Sequence, residues 1–163
     1  VELDQSDRLL LKLMQANAKR GLEALAGETG LSVASVQRRL KALRANGVIM
    51  REVAIVDPAK VGADMTFIVM VELERERQDQ IDAFTRRVQN EPMVQQCYYV
   101  TGDADFCLIC TAADMAQFER LTKRLFFDSS NVRRFRTSVA MGRHKIGLSV
   151  PISEEGDEGP AAL

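Results

Sequence analysis

Along the first forty-six residues, apolar positions come in three short bursts at helical spacing. Leu3, Leu9, Leu10, Leu13 and Met14 predict a helix from Asp4 to about Asn17, with Asp4 and Asp7 in the first turn, where carboxylates suit the helix dipole. Leu22, Leu25 and Ala26 predict a second helix from Leu22 to Thr29. Gly30 makes the turn after it, and Leu31 is expected to be buried. Val36, Leu40 and Leu43 fall at i, i+4 and i+7 and give the inward stripe of a third helix from Ser32 to Asn46. Ser32 is suited to cap its start, because a serine hydroxyl accepts from an open backbone N–H of the first turn. Gly47 is suited to close its end in the left-handed conformation.

After Gly47 the rhythm changes. Val48 to Asp57 is β-branched and partly alternating, so it is expected to be extended, as a wing or linker. Asp57-Pro58 and Gly62 mark turns and a domain boundary. The rest of the chain alternates strand and helix patterns. Strands are predicted at Met65 to Leu73, Val94 to Thr101, Asp105 to Ala112 and Val132 to about His144. Helices are predicted at Gln78 to about Asn90 and Met115 to Phe126. The order β-α-β-β-α-β is that of a ferredoxin-like sheet with both helices on one face. The fold class is therefore α+β, with a helix-turn-helix domain at 1–50, an extended linker at 51–64, a ferredoxin-like domain at 65–150 and an acidic, flexible tail at 151–163.

Two of these strands are apolar at successive positions, Phe67 to Val71 and Phe106 to Cys110. Strands of that kind are buried on both faces. The two helices cover one face only. A second copy of the same sheet would cover the other, so a homodimer is expected.

Charge singles out the third helix. From Ser32 to Arg51 every charged residue is basic. The helix carries Ser35, Gln37, Arg38 and Lys41 outside its core stripe, with Arg39 and Arg44 nearer the flank. A short helix with a core stripe and a basic, amide and hydroxyl face suits the major groove of double-stranded DNA. Taken alone, such a face can equally be a solvated surface. The helix, the tight glycine turn and the following helix supply the context that favours DNA. The DNA-contacting set is expected to be Ser32, Ala34, Ser35, Gln37, Arg38, Arg39, Lys41 and Arg44, with Arg51 reaching phosphate from the extended segment.

Composition removes other classes. The chain has 163 residues, a formal net charge of −1 and an ordinary apolar content of 46%, which is the profile of a globular protein rather than a disordered one. No apolar run approaches the ~20 residues of a membrane span, and the opening residues are acidic rather than a signal peptide. Three cysteines, an odd number without a secretion signal, fit reduced thiols in a cytoplasm. Cys107 and Cys110 are spaced like a redox or zinc pair. On a strand, however, positions three apart point to opposite faces, so no metal is expected. There is one histidine, His144, and no nucleophile–base pair, so neither catalysis nor a cofactor is expected.

Together these residues resemble the Lrp/AsnC, or feast/famine, family of prokaryotic transcriptional regulators. The resemblance runs over residues 2–150. Its marks are Leu3, Asp4, Asp7 and Leu10; Leu25, Ala26, Gly30, Leu31 and Ser32; Val36, Arg39, Leu40, Leu43, Gly47, Val48 and Ile49; and, in the second domain, Val94, Tyr98, Val100, Thr101, Gly102 and Asp105. The resemblance implies a winged helix-turn-helix joined to a ligand-sensing ferredoxin-like domain. It also implies dimers that assemble further, often into octamers, and a response to an amino acid or related small molecule. Carried over by residue, the effector site falls on Thr101, Gly102 and Asp105, with Tyr99 and Asp103 beside them. From the residues alone, Thr101 to Ala104 also reads as an ordinary hairpin turn. Arg44 departs from the family pattern, which commonly has an acid there. The departure is expected to make the helix more basic and to remove an ion pair with Arg39. Sirohaem decarboxylases, tetrapyrrole enzymes of similar fold, are the alternative that the fold leaves open.

Overall fold

A computed structural model describes residues 2–128 and 131–153. The chain divides into two compact units, one formed by residues up to Ala54 together with those from Lys145, the other by Ile55–His144.

The first unit is built on three helices, α1 (Gln5–Ala16), α2 (Leu22–Thr29) and α3 (Val33–Ala45). Their apolar faces meet in a core of Leu10, Leu25, Val36, Leu40 and Leu43, all at most 4% exposed. Burying side chains of this size stabilises by roughly 1.5–3 kcal/mol each before entropy is counted. Asp4 caps α1 and forms a capping box with Asp7. Gly30 (φ 70°) closes α2 in the left-handed region and swings the chain into α3. Gly47 (φ 71°) does the same after α3. Val48 and Ile49 then pack on the core.

Beyond Ile49 the segment to Val56 runs without a strand partner, so no wing hairpin forms among the described residues. A hairpin needs two strands joined by a turn, and the next turn, at Pro58–Val61, leads instead into the second unit.

The second unit is a four-stranded antiparallel sheet in the order β2-β3-β1-β4, with strands β1 (Met65–Leu73), β2 (Val94–Tyr99), β3 (Phe106–Ala112) and β4 (Val132–Val139). Helices α4 (Gln78–Gln89) and α5 (Met115–Thr122) cover one face. Register fixes the faces. Phe67, Val69 and Val71 pair with Cys110, Leu108 and Phe106, and all six are buried under the helices. Phe67 stacks on Phe118 of α5 at 3.9 Å between ring centroids. Cys110 lies in this core, and Cys107 lies on the opposite face, as its odd offset in the strand requires.

Two elements differ from the sequence reading. The final strand stops at Val139 rather than His144, because its partner β1 begins at Met65 and the ladder ends with Ala140 donating to the Thr66 carbonyl. The last helix is α-helical only to Thr122 and continues as a π-turn over Lys123–Phe127. A further difference concerns residues 145–150, expected with the sheet domain. They associate instead with the three-helix unit. From Glu154 on, the acidic tail lies outside the described residues.

Candidate nucleic-acid interface and effector loop

Ser32 caps α3 by accepting from the Ser35 backbone N–H at 3.2 Å, which fixes where the helix starts and hence which side chains face outward. Ala34, Gln37, Arg38 and Lys41 are exposed and Ser35 is half-buried. Among the described residues, neither Arg38 nor Lys41 has an ion-pair partner.

The other two arginines of the helix are engaged. Arg39 reaches back to the start of α1, with Nη1 at 2.7 Å from Asp4 Oδ2 and 2.8 Å from Asp7 Oδ1. Asp4 is held below the usual carboxylate range, first by the Asp7 backbone N–H and then by Arg39, while the two carboxylates raise Arg39. The same two acids that cap α1 therefore fasten α3 to it. Arg44 donates from Nε (3.2 Å) and Nη2 (2.7 Å) to Glu52 Oε1, which ties the end of α3 to the extended segment. The sequence suggested that Arg44 adds to a basic face and leaves Arg39 without an internal partner. Instead Glu52 balances Arg44, and Arg39 finds its acids thirty-two and thirty-five positions upstream. The signal was Asp4 and Asp7 at one helix start, but only the packing of α1 against α3 brings them to Arg39. Arg51 is exposed next to Glu52.

The second set of expected residues lies in the other unit, on the β2–β3 connection. Val100 donates to the Asp105 carbonyl at 2.8 Å and closes the loop. Gly102 sits at φ 108°, with no atom near the position a Cβ would take, so its conformation rather than crowding demands glycine. Thr101, Gly102 and Asp103 are exposed together. Tyr99 is 59% exposed and tilts against Phe106 at 5.2 Å.

Asp105 is different. Its backbone N–H donates to the Val71 carbonyl (2.9 Å), and its carboxylate Oδ2 accepts from the Leu73 N–H (2.6 Å). The side chain thus finishes the hydrogen bonding of β1 where β3 has not yet begun. Beside the loop, Glu72 accepts from Arg134 at 2.7 Å and lies 3.7 Å from Arg136, and its carboxyl is lowered chiefly by Arg134. The Asp103 charge adds to the rise of Arg134.

The remaining chemistry-bearing groups are quiet. Burial pushes the Cys97 thiol up to about 11 and Cys110 to about 12, so both are protonated at neutral pH. No helix among the described residues is long and apolar enough to cross a membrane.

Comparison with known proteins agrees with this architecture. Residues 3–44 match the AsnC-type helix-turn-helix domain, and residues 66–150 match the Lrp/AsnC ligand binding domain. An uncharacterized HTH-type transcriptional regulator of Sinorhizobium fredii, y4tD, is 48% identical over 93% of this chain and 90% of its own length. The glutamate uptake regulatory protein of Zymomonas mobilis is 35% identical over 96% of this chain and 95% of its own. Among solved structures, a transcriptional regulator from Neisseria meningitidis in complex with L-Met superimposes with a TM-score of 0.85 at 25% identity, covering 92% of this chain and 97% of that one. The chain belongs to the Lrp/AsnC family and is a helix-turn-helix, DNA-binding transcriptional regulator.

Proposed function

We propose that α3 reads the major groove through Gln37 and Ser35, with Arg38, Lys41 and Arg51 on phosphates, and that Arg39 and Arg44 hold the helix in place. The observation that carries this reading is the division of the basic residues. Two are spent on internal acids, and two point outward with no such partner among the described residues. An amide can bond the edge of adenine, whereas a lone cation neutralises phosphate without regard to sequence. Ser32 and Ala34, at the start of the helix, are near enough to line the same groove.

Two copies pair through the open sheet face, giving the two reading heads that a palindromic site requires. Support comes from Ile68, 39% exposed at the centre of the sheet and in register with Ile109, with Met70 and Cys107 as the next pair. An apolar centre rimmed by Glu72, Arg134 and Arg136 has the anatomy of an interface. Dimers assemble further, and the protein acts in the cytoplasm.

An amino acid or related metabolite binds at the exposed turn Thr101–Asp103, with Tyr99 alongside. Gly102 allows backbone N–H groups to approach a carboxylate, and Asp103 supplies the charge for an ammonium group. Asp105, already bonded to Leu73, positions the turn. Calorimetric titration across the amino acids, on the wild type and on Asp103→Asn, tests this. Binding that weakens in the variant supports the site, and heat-silent titrations with every amino acid overturn it.

A further inference from the structure

The DNA-binding unit is discontinuous in sequence. The chain leaves it at Ala54 and returns to it at Lys145. The returning segment is held on α1 by three contacts of different kinds. The Gln15 carboxamide pairs with both backbone polar groups of one residue: Val150 N–H donates to its Oε1 at 2.8 Å, and its Nε2 donates to the Val150 carbonyl at 2.9 Å. Arg8 Nη1 donates to the Ser153 carbonyl at 3.3 Å. Ile152 packs against the helical core. Arg8 and Gln15 are seven positions apart, two helical turns, and so share one face of α1. Ile146, Leu148 and Val150 alternate along the segment and are each more than half exposed. The hold is therefore on the backbone near Val150 and on the single side chain of Ile152.

We propose that residues 145–153 form a strap that is a working part of the DNA reader, and that Gln15, Arg8 and Ile152 are positioning residues for DNA binding. The strap steadies α1, and α1 steadies α3 through Asp4, Asp7 and Arg39. The ferredoxin-like unit is joined in sequence to the reader at both of its ends, by the segment after α3 and by the strap after β4. This inference requires only that the helical unit binds DNA; it does not depend on which side chains of α3 touch bases, nor on an effector.

The test uses the full-length chain and follows amide hydrogen exchange at Val150 together with DNA affinity. In the wild type the Val150 amide exchanges roughly tenfold or more slower than in a free peptide, since its hydrogen bond must open first. Gln15→Ala removes that protection, lowers the melting temperature of the helical unit by about 5 °C and weakens DNA binding about fivefold. Ile152→Ser acts in the same direction. Gln15→Glu, which keeps the acceptor for Val150 N–H and loses the donor, retains part of the protection. A chain ended at Ser153 keeps both protection and affinity. Arg38→Ala weakens DNA binding and leaves Val150 exchange unchanged, which separates a contact residue from a positioning one. Free-peptide exchange at Val150 in the wild type overturns the strap. Loss of protection in Gln15→Ala with unaltered DNA affinity overturns its role in reading.

Discussion

Arg38 and Arg39 are neighbours with the same chemistry, and the structure gives them opposite surroundings. Replacing each by alanine separates the two. Arg39 and Asp7 are 24% and 15% exposed and lie 2.8 Å apart. A pair covered to that degree belongs at the upper end of the range for surface ion pairs, about 1 kcal/mol. Asp4, more open to water, contributes a second contact that solvent largely screens. Arg39→Ala is therefore expected to lower the melting temperature of the helical unit by about 4–8 °C, the shift that 1 kcal/mol gives in a domain of this size. Arg38 has no internal ion pair among the described residues, so Arg38→Ala should leave the melt unchanged within about 1 °C, well inside the half kcal/mol typical of surface substitutions. DNA binding should divide the other way. Each lost phosphate contact reduces the slope of log affinity against log salt by about 0.9, so Arg38→Ala flattens the slope by that amount per reading helix. Arg39→Ala weakens binding without changing the slope. Fluorescence anisotropy on an operator duplex between 50 and 200 mM salt, the range over which ion release is usually followed, and thermal melts by circular dichroism supply both readings. If Arg39→Ala flattens the salt slope as much as Arg38→Ala while the melt stays put, the division of labour on α3 is refuted.

Further predictions follow from other contacts. Asp105→Ala leaves the N–H of buried Leu73 without its acceptor, at a cost of about 1–3 kcal/mol; Asp105→Asn keeps an acceptor and should recover most of it, as denaturant unfolding of the sheet unit will show. Ile68→Lys places a charge at the centre of the open sheet face, and sedimentation should then report monomer where the proposed pairing gives the wild type as dimers or larger assemblies; an unchanged assembly removes that face as the interface. The Asp4 carboxyl is lowered in the folded protein, so its stabilisation is present above its ordinary value of 3.8 and fades as pH falls from there through the folded value. Asp4→Asn should accordingly make the helical unit less stable at pH 6, with the gap to wild type closing below pH 4. Gly102→Ala forces a side chain to φ 108° and should destabilise the β2–β3 loop without any steric clash, which a Gly102→Asn variant, more tolerant of positive φ, should partly relieve.

Much of this protein was written in local pattern. The spacing of Val36, Leu40 and Leu43, with Ser32 and Gly47 at the ends, determined the reading helix, because a helical stripe and its caps depend on residues only a few positions apart. Gln78–Gln89 and Met65–Leu73 were legible for the same reason. So was the opposition of Cys107 and Cys110, which follows from the two-residue period of a strand. Where an element ended was less legible when a partner decided it. The last strand lost five expected residues because β1 offers nothing beyond Met65 to pair with. Side-chain roles were the least legible. Arg38 and Arg39 look alike in sequence, and only the docking of α1 against α3 gives one a pair of carboxylates and leaves the other outward. Asp105 was expected at the head of a strand and at the effector site, and only the register of β1 with β3 places its carboxylate against the Leu73 amide. Glutamine 15 and the residues around Val150 lie too far apart in the chain for any periodicity to connect them. Local pattern determined the helices and strands; which polar groups are spent inside the fold, and which remain exposed, was decided by long-range contacts that only the tertiary structure brings together.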